Sequence, residues 1–69
     1  MDWQDHIEVH SEIMHGVACI KGTRIPASVV LDNLAAGLTT DELLREYPSL
    51  THEAIQAALA YAAGLARSE

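Results

Sequence analysis

Leu38-Thr39-Thr40-Asp41-Glu42-Leu43-Leu44-Arg45-Glu46-Tyr47-Pro48-Ser49-Leu50-Thr51-His52-Glu53-Ala54-Ile55 carries the same helix-start signal twice. Thr39 precedes Glu42 by three residues, the spacing at which a hydroxyl and a carboxylate satisfy each other's backbone donors in a capping box. Leu38 and Leu43 flank that cap, as Leu50 and Ile55 flank Thr51, so each threonine sits inside a hydrophobic staple. Between the two starts, Pro48 disfavours helix at Tyr47 and ends the first segment after barely two turns, with Leu43, Leu44 and Tyr47 on its inner face. A short helix followed at once by a longer one is the spacing of a helix-turn-helix unit.

Upstream, Leu31, Leu34, Ala35 and Leu38 recur at i, i+3, i+4 and i+7, which predicts a helix beginning at Pro26 and closed by a left-handed Gly37. Residues 26–67 therefore read as a three-helix bundle. Ahead of it the period is two. Ile7 and Val9 alternate with His6, Glu8 and His10, and residues 17–20 meet a Lys21-Gly22 turn before continuing at 23–25, where Pro26 favours extended geometry. The expected architecture is one mainly helical domain over 1–69, a homeodomain-like three-helix bundle preceded by short N-terminal strands and a hairpin. Gly22 is its structural turn residue, chosen for permissive backbone geometry.

A chain of 69 residues buries only about 60% of the surface it exposes when unfolded. Disulfides cannot reinforce so thin a core, because Cys19 is the single cysteine. That lone thiol, with no secretory leader ahead of it, points to the reducing cytoplasm. No apolar run approaches membrane-spanning length, so no membrane association is expected. Apolar residues are 49% of the chain and aromatics 4%, so the core is expected to be aliphatic and alanine-rich. Ten acidic residues against four basic give a net charge of −6, which repels polyanions at long range.

The third helix is anomalous, since after Gln56 no charged side chain appears until Arg67. A helix apolar all round is buried, and a chain this small is not expected to surround one. Ile55, Leu59, Ala62 and Leu65 share one face, while Ala57, Ala60, Tyr61 and Ala63 continue around it. A homodimer interface is therefore expected at Ile55, Leu59, Tyr61, Ala62 and Leu65. The competing explanation is that alanine simply favours helix and tolerates water.

His6, Glu8, His10, Glu12, His15 and Cys19 could ligate a metal, but their spacing fits no tight zinc pattern, and solvated histidines explain them as well. Cys19 with His15 lacks an orienting third group and an oxyanion site, and cysteine in an apolar strand is usually core. Neither cofactor, metal nor catalytic residue is expected, so the chain reads as a binding protein rather than an enzyme. In the helix-turn-helix reading, operator DNA would meet His52, Glu53 and Gln56 at the start of the third helix, with Arg45 beside them. Asp41, Glu42, Glu46 and Glu53 crowd the same region and oppose it. Arg24 either anchors an acidic or phosphate-bearing partner through its planar fork or pairs with a nearby carboxylate. Arg24, Arg45, His52 and Gln56 are thus the candidate partner or DNA contacts.

Gly16-Val17-Ala18-Cys19-Ile20-Lys21-Gly22-Thr23-Arg24-Ile25-Pro26-Ala27 resembles the Gly-x-Pro-x-Ile-x-Gly-Thr-Arg-Ile-Pro-Val stretch of the prokaryotic family catalogued as domain of unknown function 433. Residues 34–44 and 47–63 resemble its downstream Leu-Ala-x-Gly-x-Thr-x-Glu-Glu-Leu and Tyr-Pro-x-Leu-Thr patterns and its alanine-rich helix. Val17-Ala18 replaces the usual lysine-proline pair, and His15 stands where a second glycine is common. The resemblance implies a homeodomain-like fold and kinship with antitoxins encoded beside a PIN-type nuclease toxin. Glu69 follows the third helix almost directly, so a toxin is expected to be met by the folded surface or the N-terminal arm. A helix-turn-helix DNA-binding transcriptional regulator, with its own operon as a target, is the alternative function.

Overall fold

The structure, a computed structural model, describes residues 2–9 and 17–68. A single 3-10 turn at Trp3–Asp5 leads into strand β1, Ile7–Val9, which pairs antiparallel with β2, Ala18–Ile20. Three helices follow: α1, Ala27–Ala35; α2, Thr40–Glu46; and α3, His52–Arg67. The register sets Ile7 opposite Ile20, Glu8 opposite Cys19 and Val9 opposite Ala18.

The hairpin partner of residues 17–20 is thus β1, and the segment expected after the turn does not form a strand. Lys21-Gly22 does make the turn: Gly22 takes φ 82°, in the left-handed region, and the Thr23 N–H donates to the Ile20 carbonyl at 3.0 Å. Thr23 then bends the chain out of extended geometry. Its hydroxyl donates to the Ile20 carbonyl at 2.8 Å and accepts from the Ile25 N–H at 3.0 Å. One bond from the Ile20 N–H to the Ile25 carbonyl and an isolated bridge from Cys19 to Pro26 are what remains of the expected second arm.

Helix ends fall where their local chemistry directs. Gly37, at φ 103°, donates to the Leu34 carbonyl while Leu38 donates to Asn33, the paired bonds of a Schellman close. The capping box at Thr39 is complete: the Thr39 N–H donates to Glu42 Oε1 at 2.8 Å and the Glu42 N–H to Thr39 Oγ1 at 3.1 Å. Thr51 Oγ1 accepts from the Ala54 N–H at 3.1 Å and opens α3. Backbone and side-chain bonding to Thr39 holds the Glu42 carboxyl below its ordinary value of 4.5, with Arg45 adding to the effect. A depressed carboxyl stabilises the fold above its unfolded pKa, and that contribution disappears as pH falls through the lower folded value. Urea titrations should accordingly show wild type exceeding Glu42→Gln in stability at pH 7 and losing that advantage below pH 4.5; a pH-independent gap would contradict the cap.

The core lies where the two strands meet the three helices. Ile7, Ala18, Ile20, Ala27, Val30, Leu43, Leu50, Ala54, Ile55, Ala57 and Ala58 form one buried cluster, with Leu31, Leu34, Leu44 and Tyr47 packed against it. The inner face of α1 is rotated from the expected stripe, for Ala27 and Val30 are buried whereas Ala35 is exposed. Strand β2 packs on α1 and takes up the Ala27–Val30 side. Among the described residues no helix is long and apolar enough to cross a membrane.

Candidate protein-interaction surface

Helix α3 outruns its partners. Its 16 residues span about 24 Å, against about 14 Å for the nine of α1 and about 11 Å for the seven of α2. All of its buried residues, Ala54, Ile55, Ala57 and Ala58, fall within its first two turns. Beyond them two apolar stripes continue off the end of the core. Ile55, Leu59, Ala62 and Ala66 follow one line at i, i+4, i+7 and i+11, and Ala54, Ala58, Tyr61 and Leu65 follow the other. Leu59 is 47% exposed and Leu65 55% exposed.

Part of this overhang is covered from within the chain. The Trp3 turn packs on α3, with the indole set edge-on to the Tyr61 ring at 5.0 Å between centroids and 69° between planes. Nothing in the helical periodicity pointed to Trp3; the one available signal was a lone tryptophan just ahead of a short strand. The expectation that α3 needs outside cover on its whole far side is corrected to this extent. Ile55 is also corrected as a candidate interface residue: at 1% exposure it is fully committed to the core beside Leu50 and Leu43. Tyr61 and Ala62 are half-buried, so Leu59 and Leu65 are the large apolar side chains that α3 leaves bare.

The polar candidates are all on the surface. Arg24, Arg45, His52 and Gln56 are exposed, and Gln56 lies one helical turn beyond His52 on α3. His52 Nε2 comes to 4.0 Å from Asp41 Oδ1, joining the starts of α2 and α3. Asp41, Glu42, Glu46 and Glu53 are exposed as well, so carboxylates outnumber the single Arg45 along this corner. No carboxylate among the described residues pairs with Arg24, and the structural-pair explanation of that residue finds no support there.

Among the described residues no three histidine, cysteine or carboxylate side chains gather as a metal site. His10, Glu12 and His15 lie outside the described residues. Cys19 is buried in β2, its Sγ donating to the Val17 carbonyl at 3.5 Å, which is the environment of a core thiol.

Residues 7–62 match the family described as protein of unknown function (DUF433). The fold is similar to the crystal structure of a DUF433 member protein from Anabaena variabilis, at 36% identity and a TM-score of 0.77 over 84% of this chain. This chain spans 57% of the length of that relative. No curated protein matches the chain.

Proposed function

The chain belongs to the DUF433 family, and from that premise we propose that it is an antitoxin-like protein-interaction module of the cytoplasm, a homodimer that binds a PIN-type nuclease toxin. The observation that carries the first half is the overhang of α3. Two leucines stand exposed on a helix with no charged side chain between Glu53 and Arg67. Ala62, Ala63, Gly64 and Ala66 beside them let a second helix approach closely. Covering such a strip removes apolar area from water, the main driving force of association.

The toxin half rests on the family resemblance and on charge. A chain of net charge −6 is steered toward a basic surface, and Asp41, Glu42, Glu46 and Glu53 are all exposed to meet one. The chemistry is binding, with no catalytic step assigned to this chain. Co-purification with the nuclease-like product of an adjacent gene is the test. A stable complex that weakens as salt rises is expected, and no complex at low ionic strength would remove the reading.

A helix-turn-helix regulator of homeodomain-like type is the second reading, supported by the short α2 leading directly into α3 with His52 and Gln56 exposed at its start. Four carboxylates on the same corner oppose a phosphate backbone, so operator binding is expected to be weak and steeply salt-dependent if present. Tight binding to its own promoter at physiological salt would put this reading first.

A further inference from the structure

We propose that the Trp3 turn is a clasp that keeps the second half of α3, residues 59–67, in helix, so that the surface carrying the bare Leu59 and Leu65 exists only while the turn is seated. The buried residues of α3 end at Ala58, and from Leu59 onward none is buried. The first half nucleates this stretch, but propagation alone is close to neutral in water, so tertiary contact decides whether the helix persists. Gly64 stands inside the stretch and weakens it further relative to alanine. The order of this half therefore has to come from elsewhere in the chain.

The turn supplies that contact. It packs on α3 more extensively than either α1 or α2 does. Its indole meets the Tyr61 ring edge-on, both rings rest against the core cluster, and residues 60–64 around Tyr61 are half-buried. The turn is itself held in shape, with Gln4 N–H donating to Asp2 Oδ1 at 3.0 Å and His6 N–H to the Trp3 carbonyl at 2.9 Å. Ile7 follows at once, buried and paired with Ile20. An anchored strand thus fixes where the indole falls.

Residues 2–5 precede the stretch 7–62 that matches the family, and residues 63–67 follow it. The clasp ties together two segments that lie outside that stretch. Gly64 offers an independent control on helix order, because no atom of the rest of the fold lies within 4 Å of where a Cβ would stand. Alanine there strengthens the helix without a clash.

Amide hydrogen exchange of the intact chain, read residue by residue, tests the clasp. In Trp3→Ala the amides of residues 63–67 should exchange about tenfold faster than in wild type, the order that an aromatic pair contributes. The amides of the buried Leu43 and Ala58 should change distinctly less. Trp3→Leu should give the same pattern at smaller amplitude, and serves if Trp3→Ala does not fold. Adding Gly64→Ala to either variant should restore part of the protection at 63–67. Unchanged exchange there, or no protection there in wild type, would overturn the clasp. So would an equal acceleration at Leu43 and Ala58, which would spread the contribution of Trp3 over the whole core, or a loss that Gly64→Ala does not relieve. The outcome is independent of whether the chain self-associates.

Discussion

Leu43→Ala should leave much of the chain unfolded at 25 °C. Leu43 is 0% exposed and, with Ile55 and Val30, is one of the largest fully buried side chains. Truncating a buried leucine to alanine costs about 2–5 kcal/mol, the upper values arising where neighbours cannot collapse into the gap. Collapse is hindered here because Leu43 belongs to the one buried cluster and sits on a helix packed against both other helices. A folded domain of this size is stable by about 3–10 kcal/mol in total, so the loss is comparable with the whole. Leu44→Ala, at a half-buried position on the same helix, should cost distinctly less. Urea denaturation at fixed protein concentration compares them, and equal midpoints would show that the buried side of α2 is assigned wrongly.

Replacing Leu59 and Leu65 together by glutamate should act on association and spare the fold. Both side chains are about half exposed in the single chain, so the monomer loses little. In a two-fold dimer the change removes four leucines from the interface and adds four carboxylates to an already acidic surface. Burying a leucine contributes about 1.5–3 kcal/mol, and association realises only part of that. Even a total of about 4 kcal/mol is a weakening of about a thousandfold. Sedimentation should find the variant monomeric where wild type is dimeric, with unchanged helical circular dichroism. A variant as associated as wild type would place any interface elsewhere.

Legibility from sequence followed the range of the interactions. Thr39, Thr51, Gly37 and Gly22 act through bonds to residues at most four positions away, and the structure shows each where local rules put it. The partner of β2 was a different matter. Ile7 and Ile20 are thirteen positions apart, and the Lys21-Gly22 turn suggested a nearer strand until Thr23 bent the chain aside. On α1 the periodic stripe was read one position too far toward Ala35, because alanine is apolar enough to join either face.

Helix α3 lay between these cases. Its lack of charge marked it as strongly apolar, and the structure buries its first two turns while leaving Leu59 and Leu65 exposed. Which side the core takes depends on contacts made from far away in the chain, by Trp3 above all. Periodicity could not separate the buried Ile55 from the bare Leu59, one turn apart on the same stripe. The exposed candidates Arg24, Arg45, His52 and Gln56 were legible as surface residues from their chemistry, and within the chain His52 meets Asp41.

If the exposed end of α3 packs against another copy, the mass of the pure protein in solution shows it most directly. Sedimentation equilibrium across a wide concentration range should give twice the 7.5 kDa of one chain, falling toward one chain on dilution. A mass of one chain at every concentration would contradict it.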